Sequence, residues 1–189
     1  ITEPTAVVAS SVMNTSISCN GGSNGSATAS GTGGTSPYTF AWSNSATTVI
    51  TNGLVAGTYT VTVSDVNSCT STSSVTITQP TALTASIVVN TNVSCNGGSN
   101  GSATASGLGG TSPYTFVWSN SATTASITGV LAGTYTVTIT DANNCTSTPT
   151  TTITEPGVLV TSIQVNQNVS IFGTNDGSVT ANGSGGILP

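Results

Sequence analysis

The sequence predicts an all-β chain: tandem immunoglobulin-like antiparallel β-sandwich domains arranged as a rod. Three observations predict it. The chain repeats itself every 76 residues without insertion or deletion: residues 19–31 return letter for letter as 95–107, and 95 − 19 = 76. A tandem array of near-identical units is read before anything else. Apolar residues alternate with Thr and Ser over short runs, the period of a half-buried strand. Gly-, Asn- and Pro-rich turns divide those runs, and no helical apolar period is present.

In the first unit the expected strands are 6–12, 25–31, 38–43, 47–51, 58–65 and 74–79, dominated by Val, Thr, Tyr and Ile as strands require. In 38–43, Tyr38, Phe40 and Trp42 fall on one face. In 58–65, Tyr59, Val61 and Val63 face one way, and Thr58, Thr60 and Thr62 the other. One apolar and one hydroxyl face describe an antiparallel sheet with one solvated side, and two such sheets make a sandwich. Leu54-Val55-Ala56-Gly57-Thr58-Tyr59 and Val130-Leu131-Ala132-Gly133-Thr134-Tyr135 place Gly before a Tyr that opens a long strand. That pattern resembles a tyrosine corner, with Tyr59 and Tyr135 returning their hydroxyls to nearby backbone. Trp42 and Trp118 are expected in the core, each beside two aromatics on the same face.

Unit boundaries fall at Glu3-Pro4, Gln79-Pro80 and Glu155-Pro156. The expected domains are 1–79, 80–155, and the truncated start of a third, 156–189. The short Pro joints predict semi-rigid links and hence a rod. The chain starts and stops inside a series, so it reads as a segment of something longer, with any export signal or anchor outside it.

The 189 residues contain no Lys, Arg or His and only five acids, Glu3, Asp65, Asp141, Glu155 and Asp176. Without cations the chain has nothing to hold a nucleic-acid backbone or an anionic membrane surface. No apolar stretch is long enough to insert into a bilayer. Ser and Thr have no imidazole or amine to activate them, and no acid–base pair is in sight, so the chain is not expected to be an enzyme. No cofactor is expected either. Asn20-Gly21-Gly22-Ser23-Asn24-Gly25 is no phosphate cradle, because no Lys follows it and no helix starts there. The Asn-x-Ser/Thr sequences in this Asn-, Ser- and Thr-rich chain match by chance as readily as by design.

Two cysteines per unit at matching positions fit an oxidised, extracellular protein. Cys19 to Cys69 spans 50 residues, as does Cys95 to Cys145. Bonds within each unit are therefore expected, pinning two loops at one pole and contributing roughly 4 kcal/mol each on the chain-entropy estimate. The rival, zinc, lacks His and a close Cys pair. Asp65 and Asp141 end a long strand and could offer oxygens to calcium, but turn formation explains them more simply. Ile171 stands where the third unit is due a Cys (95 + 76 = 171).

These motifs carry a resemblance. Cys-Asn-Gly-Gly-Ser-Asn-Gly-Ser-Ala-Thr, then Gly-Gly-Thr-Ser-Pro-Tyr-Thr-Phe-x-Trp-Ser-Asn, then Ala-Gly-Thr-Tyr-Thr-Val-Thr and a closing Cys, resemble the SprB repeat of giant surface proteins of Bacteroidetes, the adhesin of gliding bacteria among them. The resemblance covers 4–79 and 80–155 and reaches Asn175-Asp176-Gly177-Ser178; Ile171 departs from it. It implies type IX secretion, surface display, adhesion and gliding motility, and supplies no catalytic residues. The expected function is a repetitive segment of an extracellular, cell-surface adhesin or filament. It would act as a mechanical spacer with multivalent weak adhesion to polysaccharide or abiotic surfaces. Its other expected contacts are neighbouring repeats of the same chain and bundled filaments. The rival is a purely structural stalk or sheath with no ligand of its own.

Overall fold

The computed structural model describes residues 3–173 and 175–187, and every regular element among them is a strand. The first six strands are β1 (Val8–Thr15), β2 (Gly25–Thr32), β3 (Thr39–Trp42), β4 (Ile50–Leu54), β5 (Gly57–Ser64) and β6 (Thr70–Ile77). They form two antiparallel sheets, ordered β1-β2-β4 and β3-β5-β6. Lettered as in an immunoglobulin domain, these are A-B-E and C-F-G without strand D. Residues 43–49 form no strand.

The observed strands depart from the expected ones at three places. β1 begins two residues late and ends three residues late, at Thr15 rather than at residue 12. β4 begins three residues late and continues through Asn52-Gly53, where Gly53 sits at φ 69°. That left-handed conformation favours Gly. β6 begins at Thr70 rather than at residue 74, because it pairs along the whole of β5, from Gly57↔Ile77 to Ser64↔Thr70. Its Thr-Ser-Thr-Ser-Ser sequence carries no apolar period, so pairing rather than patterning makes it a strand.

Both sheets contribute to one core. Ile17, Ala27, Ala29, Trp42, Leu54, Val61, Val63 and Ile77 are buried together, with Tyr38, Phe40 and Tyr59 packed against them. The period-2 arrangement of β5 explains its share: Val61 and Val63 point inward while Thr60 and Thr62 are only half-buried.

The next seven strands repeat the plan: β7 (Thr84–Thr91), β8 (Gly101–Leu108), β9 (Thr115–Trp118), β10 (Ser126–Val130), β11 (Gly133–Thr140), β12 (Thr146–Ser147) and β13 (Thr150–Ile153). The sheets are ordered β10-β8-β7 and β12-β11-β13, with β9 also on β11. The pair β12 and β13 replaces the single strand β6. Pro149 stands where Ser73 does, and without an N–H it interrupts the ladder. β14 (Val160–Gln167) and β15 (Ser178–Ser184) form an antiparallel hairpin like β7 and β8.

The residues divide into two compact bodies. One is Ile1–Thr84 with Leu108–Tyr114 and Thr140–Thr146; the other is Ala85–Gly107 with Thr115–Ile139 and Ser147–Pro189.

Strand direction fixes which loops share a pole. The loop between β1 and β2 lies where β6 ends, since Ile17 N–H donates to Thr78 O at 2.9 Å. The hairpin between β5 and β6 lies where the chain enters. There Gly34 N–H reaches Thr5 O at 2.7 Å and Thr35 N–H reaches Asp65 Oδ2 at 3.0 Å. The eight-residue β6 separates these poles by roughly 25 Å.

Candidate functional site

That separation overturns the expected disulfides. Cys19 lies in the loop after β1 and Cys69 at the end of the β5–β6 hairpin, so they occupy opposite poles rather than one. The bonds Cys19–Cys69 and Cys95–Cys145 do not form. Cys19 bonds instead to Cys145, 126 residues away with the Cα atoms 5.7 Å apart, and Cys69 and Cys95 are free and exposed. Both bonded cysteines belong to the first body. Since 126 = 50 + 76, the bond joins the first cysteine of one sequence unit to the second cysteine of the next.

Two sets of hydrogen bonds prepare the site. The loop carrying Cys19 is tied to the Pro joint, with Asn20 Nδ2 donating to Pro80 O at 3.0 Å and Gly21 N–H to Gln79 Oε1 at 2.8 Å. Gly21, at φ 76° with open space around it, is required for its conformation alone. The partner hairpin presents Asn143, whose Nδ2 donates to Ser18 O and to Thr111 Oγ1, both at 3.0 Å.

Asp141 builds that hairpin. Its Oδ1 accepts from Asn143 N–H at 2.8 Å and Cys145 N–H at 2.9 Å, and its Oδ2 from Thr111 N–H at 2.9 Å. Asp65 does the same with Asn67, Cys69 and Thr35. Both carboxylates are buried. At Asp65 the Thr35 N–H foremost, with those of Cys69 and Asn67, outweighs burial and holds the carboxyl below its ordinary value. At Asp141 burial pushes upward, but the three N–H groups together outweigh it and the net shift is again downward. Ser68 and Asn144 take positive φ, 65° and 64°, to close each turn onto its cysteine. The two calcium candidates thus spend their oxygens on backbone, and among the described residues no three His, Cys, Asp or Glu side chains come together.

The aromatic residues fall as follows. Trp42 and Trp118 are buried and donate Nε1–H to Thr48 O at 3.0 Å and Thr124 O at 2.9 Å. Tyr59 and Tyr135 are half-buried, and their hydroxyls donate to Val55 O at 3.1 Å and Leu131 O at 3.0 Å, four residues upstream. The outer hydroxyls pair across strands: Thr60 with Ser74 at 2.8 Å, and Thr136 with Thr150 at 2.9 Å.

Sequence reasoning missed the joint contacts. Gln79 stands at the middle joint where the others have Glu3 and Glu155. Glu155 Oε2 accepts from Gly97 N–H at 2.7 Å just as Gln79 Oε1 accepts from Gly21 N–H. The readable signal was that Glu and Gln both carry an acceptor oxygen at that reach.

A model of the SprB repeat matches residues 14–47 and 87–123. No curated protein matches the chain. Among solved structures, the chain is similar to a tetra-tandem repeat in the extending region of a large adhesion protein. That alignment covers 95% of this chain and 56% of the other at 15% identity, with a TM-score of 0.29. The chain therefore spans little more than half the length of that structure. A complex of Dpr2 Ig1-Ig2 with DIP-Theta Ig1-Ig3 aligns over 82% of this chain and 69% of the other, at 10% identity and a TM-score of 0.27. The SprB repeat model thus matches once within each full 76-residue unit.

Proposed function

We propose that the chain is a repetitive segment of an extracellular, cell-surface adhesin or filament, working as a mechanical spacer with multivalent weak adhesion. The observation that carries this reading is the pair of SprB repeats on two copies of one sandwich plan. Units 1–79 and 80–155 serve as domains in series, followed by the start of another at 156–189, with a rod as the arrangement that short Pro joints favour. Small-angle scattering of residues 1–155 tests the rod. No helix among the described residues is long and apolar enough to cross a membrane. The SprB resemblance adds type IX secretion and gliding motility to the proposal. A non-enzymatic role fits a chain with no Lys, Arg or His to activate its hydroxyls.

Adhesion would rest on outward hydroxyls and amides. Hydroxyls paired across strands still offer acceptor lone pairs to polysaccharide or to a hydrated abiotic surface. Single contacts of this kind are weak, and repetition makes them avid. Surface retention of arrays of one, two and six units tests this: retention should climb steeply with number and ignore salt, since so little charge is present to screen. Background retention at every length leaves the second reading, a purely structural stalk. One observation favours the stalk: the outer surface is not copied between units. Leu108, 76% exposed, stands where the first unit has Thr32, and Pro149 breaks the strand that Ser73 continues.

A further inference from the structure

The Cys19–Cys145 bond decides which residues a pull on the chain can reach. The two cysteines are 126 residues apart, so their bond closes residues 20–144 into a loop. Tension that enters before Cys19 and leaves after Cys145 crosses the two sulfurs and never enters that loop. Covalent connectivity alone fixes this, whatever unfolds around it.

The loop holds most of both sandwiches. β2, β5, β8 and β11, the middle strands of their sheets, all lie inside it. So do Trp42, Val61, Val63, Trp118, Val137 and Ile139, all buried. Outside it lie β1 on one side and β12, β13, β14 and β15 on the other. β1 is at the edge of its sheet. A strand already rises by about 3.3 Å per residue, close to the limit of about 3.6 Å for a taut chain, so a pull along β1 lengthens it little.

The bond can also be reached from solvent. Cys19 and Cys145 are half-buried and line an open cleft of 390 Å³, with Asn20, Leu83, Asn144 and Thr146 among its walls. All of these residues belong to the first body. The cleft leaves room for a small thiol such as cysteine or glutathione. Once the sulfurs part, the hairpin is tied to the Cys19 loop by hydrogen bonds such as Asn143 Nδ2 to Ser18 O at 3.0 Å, which cannot hold against sustained tension as a covalent bond does.

We propose that the Cys19–Cys145 bond is a thiol-gated length switch. Closed, it keeps residues 20–144 out of the path of tension; opened by a low-molecular-weight thiol in the cleft, it hands them over. The inference rests on the spacer reading given above and adds its regulation. In the opening step the thiolate of one small thiol attacks one of the two sulfurs, the S–S bond breaks, and the other cysteine leaves as a thiolate and takes up a proton. A second small thiol then displaces the first from the mixed disulfide. Two small thiols are thereby oxidised to their disulfide, and the protein disulfide is reduced to two thiols. At about 3.3–3.6 Å per residue over the 126 residues, opening adds roughly 430 Å of chain. The residues under tension rise from 63 (189 − 126) to 189, a threefold change.

Single-molecule stretching of the full chain tests this, with a disulfide-free marker domain fused to each end so that no cysteine serves as a handle. Without reductant, the fully stretched chain should be about one third as long as Cys145→Ser, a comparison that does not require the variant to fold. Reduced glutathione added at constant force should lengthen the parent by roughly 430 Å, at a rate that rises with thiol concentration, and should leave Cys145→Ser unchanged. Cys69→Ser/Cys95→Ser should behave as the parent does. A parent as long as Cys145→Ser overturns the proposal, as does a Cys69→Ser/Cys95→Ser chain longer than the parent, which would mean bonds within each unit. A short parent that ignores glutathione overturns the gate. Stretched length depends on neither surface retention nor solution shape, so failure here and failure of the adhesin reading are told apart.

Discussion

The Cys19–Cys145 bond makes a prediction that four single substitutions resolve. Replacing Cys19 or Cys145 by Ser releases a crosslink between residues 126 apart. On the chain-entropy estimate, a loop of that length restrains the unfolded chain by roughly 5 kcal/mol. With a urea slope of about 2 kcal/mol/M, the midpoint of the first body should fall by roughly 2.5 M. Cys69→Ser and Cys95→Ser touch exposed thiols and should change stability by less than about 0.5 kcal/mol. The double variant Cys19→Ser/Cys145→Ser should match either single, because one bond is removed each way. In a Trp118→Phe background the buried Trp42 reports the first body alone, by fluorescence during urea unfolding. Bonds within each unit would give the opposite pattern: Cys69→Ser as damaging as Cys19→Ser, and Cys19→Ser adding to Cys145→Ser. Either result refutes the staggered pairing.

Three further outcomes are expected. Tyr59→Phe and Tyr135→Phe each remove one hydroxyl bond to backbone and should cost about 1 kcal/mol in denaturant unfolding; an unchanged midpoint would mean that water replaces the bond fully. Ile77→Ala empties a position that is 1% exposed and should cost about 2–5 kcal/mol, read in the same assay. For pH, the Asp65 and Asp141 carboxyls sit below their ordinary value of 3.8 when folded. Their contribution is therefore full above that value and is lost as pH falls through the lower, folded one. Unfolding midpoints measured from pH 6 to pH 2, an acid range set by carboxyl titration, should drop toward the acid end. Asp65→Asn/Asp141→Asn, less stable at neutral pH, should show a flatter acid limb, and an equally steep limb in that variant would place the acid sensitivity elsewhere.

The sequence by itself determined the fold class and the repeat. Alternation in 58–65 put Val61 and Val63 inside because a strand's side chains alternate faces whatever its neighbours do. The Gly57-Thr58-Tyr59 pattern anticipated the Tyr59 hydroxyl bond because its partner is only four residues away. Local chemistry of this kind is legible in one dimension. The strand status of 70–73 was not, because it comes from hydrogen bonds to β5 rather than from an apolar period. Nor was the cysteine pairing. Equal spacing of 50 residues in each unit suggested a bond within it, but spacing along the chain does not say at which pole a loop emerges. Strand direction decides that, and six alternating strands put Cys19 and Cys69 at opposite ends of their sandwich, leaving Cys19 to meet the Asp141–Cys145 hairpin.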